Sequence, residues 1–78
     1  MEREILKNVN ITIGSQKDLK RAINFVNNNN LFGYAGFYNA MTIKCNVKLK
    51  TKMYLVNYKF KNHSYYTTFK RILMSKYG

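Results

Sequence analysis

The chain has 78 residues with 14 Lys+Arg against 3 Asp+Glu, a formal net charge of +11, and 46% hydrophobic residues. That composition folds, but at this length it supports one domain with a small core, so a multidomain enzyme is excluded. A lone cysteine makes no intrachain disulfide and no apolar run approaches the roughly 20 residues of a membrane span, while Glu2, Arg3 and Glu4 stand where a secretory apolar region would begin.

The reducing cytoplasm is the expected compartment. The charge is also uneven. Glu2, Glu4 and Asp18 are the only acids, so residues 19–78 carry none, while 11 of the 14 cations lie there. Such a segment repels itself until an anion offsets its charge. AT-rich coding would supply the Lys and the 11 Asn, but it would supply Glu as well. The imbalance therefore points to a polyanionic partner.

Residues 5–13 (ILKNVNITI) place Val9, Ile11 and Ile13 on one side and Asn8, Asn10 and Thr12 on the other, the period-two pattern of a half-buried strand. Gly14 ends it. Ser15-Gln16-Lys17-Asp18 has the form of a capping box, with an acid where the helix dipole favours one. Leu19, Ala22, Ile23 and Val26 then mark the core stripe of a helix over 16–28. Asn27 to Asn30 would close it, since Asn tolerates a left-handed cap.

Residues 31–38 (LFGYAGFY) read as a strand in which Gly33 and Gly36 mark a bulge or a close backbone approach. Met41, Ile43, Cys45, Val47 and Leu49 alternate with Thr42, Lys44, Asn46, Lys48 and Lys50. Tyr54, Val56, Tyr58 and Phe60 alternate with Leu55, Asn57, Lys59 and Lys61. Joined around Thr51-Lys52, these runs make an antiparallel hairpin with one apolar face. Phe69, Ile72 and Leu73, with Lys76 or Tyr77, give a helical stripe over 65–77, with Ser64 as its cap. The expected fold is a single small α+β domain, β-α-β-β-β-α: an antiparallel sheet of three or four strands with both helices packed on its apolar face.

Material for catalysis is scarce. His63 would have to serve as base for Ser64, Tyr65 or Cys45, with no acid after Asp18 to orient it. One Cys and one His fall short of the four ligands of a structural zinc, and no glycine spacing forms a phosphate loop. Cys45 lies on the apolar side of its strand and reads as a core residue. The expectation is a non-catalytic protein without metal or cofactor.

Binding signals are stronger. Lys44, Lys48, Lys50, Lys59 and Lys61 occupy alternate positions of two neighbouring strands, a surface of spaced cations suited to phosphates, with Lys70 and Arg71 as a second ring. Bases could stack on aromatic rings from the set Tyr34, Phe37, Tyr38, Tyr65 and Tyr66. From Ser15 onward the order α-β-β-β-α is similar to that of the double-stranded-RNA-binding fold, by topology and not by motif. That resemblance implies phosphate contacts from the start of the last helix, where the cations here, Lys70 and Arg71, come a turn late. Domains that lay a three-stranded sheet in the DNA major groove fit the basic sheet face equally well.

The sequence thus predicts a cytoplasmic protein that binds nucleic acid or a nucleoprotein complex. The competing class is an inhibitor encoded by a phage or mobile element, anti-CRISPR-like, that blocks a host protein or ribonucleoprotein by direct binding, for example a host protein with an acidic surface. No membrane partner is expected, and an exposed edge strand would permit a homodimer.

Overall fold

Apolar alternation over residues 41–50 and 54–61 sets the centre of the molecule. The computed structural model describes residues 6–29, 31–37 and 41–77. Its elements are β1 (Leu6–Ile13), α1 (Gln16–Asn28), β2 (Leu31–Phe37), β3 (Thr42–Leu49), β4 (Lys52–Phe60) and α2 (His63–Tyr77), in the expected β-α-β-β-β-α order. The four strands form one sheet in the order β1-β4-β3-β2.

The sheet is mixed and not purely antiparallel. β2 with β3 and β3 with β4 are antiparallel, but β1 pairs with β4 in parallel, Val9 beside Val56 and Ile13 beside Phe60. Chain direction explains the difference. α1 returns the chain so that β2 runs the same way as β1, and two hairpin reversals give β4 that direction again. Lying next to β1, it can pair only in parallel.

One face of the sheet is apolar and both helices cover it. Ile13, Ile43, Cys45, Val47, Val56, Tyr58 and Phe60 are buried there beneath Leu19, Ala22 and Val26 of α1 and Tyr66, Phe69 and Leu73 of α2. Aromatic rings join α2 to β4. Tyr58 and Phe60 lie 5.0 and 5.4 Å from Phe69, centroid to centroid, and Phe60 meets Tyr66 edge-on at 5.8 Å. This packing makes Tyr65, Tyr66, Thr67 and Thr68 helical despite their preference for strands, because a strand would place Tyr66 and Phe69 on opposite sides.

The helix ends depart in part from expectation. Ser15 caps α1: its Oγ accepts from the Asp18 N–H at 3.2 Å, and the Gly14 N–H donates back to Asp18 Oδ2 at 3.2 Å. Its C-terminus has no left-handed cap, since Asn29 is extended at φ −132°. The final carbonyls are met by side chains instead. Lys76 Nζ donates to the Val26 and Asn27 oxygens at 3.0 and 2.9 Å. Tyr77 Oη donates to those of Val26 and Asn29, and Asn29 Nδ2 to that of Phe25. An ammonium at this negative helix end is favourable in its own right. α2 begins two residues before 65. Asn62, not Ser64, is its cap, its Oδ1 accepting from both the N–H and Oγ of Ser64 at 2.8 Å.

The hairpin turn is Lys50-Thr51, flanked by the Leu49–Lys52 pair, so Lys50 lies in the turn and not on the strand. Its φ of 59° is left-handed, a conformation that favours glycine. Lys50→Gly is expected to raise stability by about 0.5–1 kcal/mol in urea denaturation, the relief exceeding the added freedom of the unfolded chain. Burial pushes the Cys45 thiol from its ordinary 9.0 up to about 12. Burial, and then Cys45 itself, also raises Tyr58. Cys45 therefore stays protonated in the fold while the unfolded chain ionises. The stability linked to the neutral thiol is complete below pH 9.0 and is lost as pH rises toward about 12. The expected decline is about 1.4 kcal/mol per pH unit, reduced to the share of Tyr58 and the other groups in Cys45→Ala, as followed by denaturation across pH.

Candidate nucleic-acid interface

The face of the sheet away from the helices is built by the other parity of the same strands. Register places its residues in rows. Lys59 stands between Thr42 and Thr12, Asn57 between Lys44 and Asn10, Leu55 between Asn46 and Asn8, and Met53 beside Lys48. Lys48 and Lys59 are exposed, and Lys44, Asn46, Leu55 and Asn57 are half-buried. From strand geometry, Lys44 and Lys59 are diagonal neighbours about 7–8 Å apart at the backbone, and Lys48 lies about 13 Å further along β3 from Lys44. Neither helix crosses this face.

Of the five sheet lysines named from sequence, Lys44, Lys48 and Lys59 share the face. Lys61 follows β4, its N–H donating to the Ile13 carbonyl at 3.0 Å, and its aliphatic stem lies beside Gly14 at the face's end. Lys50 belongs to the hairpin turn at the opposite end. Asp18 is the only acid among the described residues. It sits on α1, on the helix side of the sheet, with its carboxylate bound to the Gly14 N–H. Among the described residues, the lysine face therefore holds no carboxylate.

Lys70 and Arg71 do not extend this surface. Both project from α2, which packs on the opposite face of the sheet, so a layer of core separates them from Lys44, Lys48 and Lys59. Lys70 Nζ sits 5.7 Å from the centroid of the Tyr66 ring, and Arg71 is exposed near Met74. The aromatics are also placed elsewhere. Tyr66 is 1% exposed, so its ring belongs to the core and offers no platform to a base. Tyr34, whose strand partner is Cys45, and Tyr65 are half-buried against the core from the helix side. Tyr38 and the side chain of Phe37 lie outside the described residues.

Sequence reading missed the asparagines that complete the face. Asn10, Asn46 and Asn57 share the lysines' parity, but only the β1–β4 register shows that Asn10 lies beside Asn57. Asn57 Nδ2 donates to Asn10 Oδ1 at 3.1 Å, whereas Asn57 Oδ1 is buried with no hydrogen-bond partner. Asn is a poor strand former, and an unmet buried acceptor costs about 1–3 kcal/mol. The residue thus places amide chemistry mid-face at a cost to the fold. The face can hold phosphates on its cations and offer amide donors and acceptors between them.

Among the described residues, no three His, Cys, Asp or Glu side chains come together. Cys45 is buried and protonated. His63 opens α2, its Nδ1 3.5 Å from Thr67 Oγ1 and its ring 6.0 Å from that of Tyr66. No helix among the described residues is long and apolar enough to cross a membrane.

Asn57→Thr is expected to raise stability by about 0.5–1 kcal/mol, because it removes the unmet acceptor and adds a strand-forming side chain, as read by urea denaturation. A net loss would mean that the carbonyl oxygen is satisfied in solution. Compared with known proteins, the chain matches no family model, no curated protein and no solved structure.

Proposed function

We propose that this protein binds nucleic acid, or the nucleic-acid part of a nucleoprotein complex, through the open face of its sheet, without catalysis of its own. The observation that carries the reading is the grouping of Lys44, Lys48 and Lys59 on a face free of covering helices, set among Asn and Thr and without a carboxylate among the described residues. Phosphates would be held by the lysines, with Lys61 at the margin, and the asparagines would meet sugar or base edges. Lys70 and Arg71 belong to the reverse side and stand outside the proposed surface. The exposed large hydrophobics among the described residues are Ile11 and Met74, neither of them aromatic. That supports a charged ligand over the Tyr-rich patch typical of a protein interface. The expected setting is the cytoplasm, where a buried thiol such as Cys45 stays reduced.

The test is fluorescence anisotropy with short single-stranded and duplex DNA and RNA at two salt concentrations. Replacing Lys44, Lys48 and Lys59 by Gln is expected to weaken binding to all sequences and to flatten the salt slope by roughly 0.7–0.9 per lost contact. Lys70→Gln with Arg71→Gln is expected to leave the slope unchanged. The reverse result would move the interface to α2. No binding to any of the four at about 100 mM salt would leave the charge to an acidic protein partner, the inhibitor reading.

A further inference from the structure

We infer that β1 is a self-pairing edge, and that two copies of the chain join through it into one continuous eight-stranded sheet. The inference goes beyond the nucleic-acid reading and does not depend on it. It begins with the backbone. The Lys61 N–H donates to the Ile13 carbonyl, so the odd-numbered residues of β1 direct their N–H and C=O groups toward β4. The groups of Asn8, Asn10 and Thr12 consequently point outward along the sheet edge, because successive residues of a strand alternate. Eight residues of β1 pair with β4 without a register shift, so this edge is straight.

The other edge is different. β2 carries a register shift between Leu31 and Gly33, an irregularity that hinders pairing with a further strand. β1 has no bulge and no proline, and its only charge is Lys7 near its start. It is a long regular edge with little of the usual protection.

The side chains favour a copy of β1 as the partner. In an antiparallel pairing with the two-fold axis at Asn10, outward-pointing Asn8 meets Thr12 of the second copy, and Val9 meets Ile11. Small neutral polar groups then face each other on one side of the seam and β-branched apolar groups on the other. Lys7 falls opposite Ile13 and meets no second cation. In a chain of net charge +11, an acidic partner would be drawn to β3, β4 or the two helices, which carry most of the cations, whereas β1 carries Lys7 alone. β1 suits a neutral strand, and β1 is one.

The apolar side of the seam is also incomplete in a single copy. Ile11 is 38% exposed and Val9 half-buried. Both lie on the floor of a groove of about 490 Å³ between α1 and the sheet, whose wall includes Arg21 and Phe25. Pairing at β1 would set the Val9 and Ile11 of each copy against those of the other along this groove.

Sedimentation velocity from micromolar to sub-millimolar protein, at low and high salt, tests the proposal. The expected result is a dimer that strengthens with salt as repulsion between the copies is screened, whereas nucleic-acid binding weakens. Failure of one reading is thus distinguishable from failure of the other. Hydrogen exchange should show the amides of Asn8, Asn10 and Thr12 protected at high concentration and released on dilution, while those of Val9, Ile11 and Ile13 stay protected throughout. Asn8→Pro removes one outward N–H, which an edge strand tolerates, and Ile11→Lys places a charge in the seam. Both variants should be monomers with unchanged circular dichroism. A wild-type monomer at every concentration and salt, or a dimer that survives both substitutions with the three outward amides exchanging freely, overturns the proposal.

Discussion

Contact between the aromatic rings of β4 and those of α2 holds the helix layer to the sheet. Tyr58, Phe60, Tyr66 and Phe69 form one cluster, and every ring in it touches another across or along that junction. A chain with 14 cations and 3 acids has few ion pairs available to fasten one layer to another. Apolar area and ring geometry must supply the adhesion, at roughly 1.5–3 kcal/mol for each large side chain fully buried. For a domain this small, a single such ring is a sizeable part of the net stability.

The same cluster decides where the charge goes. Once the rings, with Ile43, Cys45, Val47 and Val56, occupy one face of β3 and β4, strand alternation leaves Lys44, Lys48 and Lys59 the other face. Asp18 is engaged at the head of α1, and Lys76 reaches the carbonyls at its foot. Both helices run from the same end of the sheet, and Lys76 lies where their negative ends meet.

Much of this was legible in the sequence because it is local. Alternation over residues 5–13, 41–50 and 54–61 and the stripe from Leu19 to Val26 carry their own periods, and Ser15 with Asp18 marks a helix start within four residues. What was hidden is long-range or sterically fine. The partner of β1 depends on the path of the whole chain, and with it the Asn10–Asn57 contact, 47 residues apart. The clamp from Lys76 and Tyr77 spans 48–51 residues, so local capping rules assigned its task to the Asn run. Lys50 kept the parity of its strand on paper, but the two-residue turn took it out of the ladder. Ser64 and Asn62 were both eligible caps, and the docking of Tyr66 and Phe69 selected the earlier start. Lys70 and Arg71 were grouped with the sheet lysines by charge alone, although both helices were already expected on the apolar face; the packing of α2 sets them on the reverse side.

The rows of β3 and β4 have an evolutionary consequence. Odd positions of β3 and even positions of β4 hold the molecule together, while the alternate positions meet whatever the sheet meets. The two sets interleave along the same strands but point to opposite faces, so exposed positions such as Lys48 and Lys59 can change with little effect on the core, while the buried amide of Asn57 cannot. A lineage could rewrite positions 48 and 59 for a new target and leave the scaffold intact. Insertion of one residue in either strand would exchange the two sets and lose both at once.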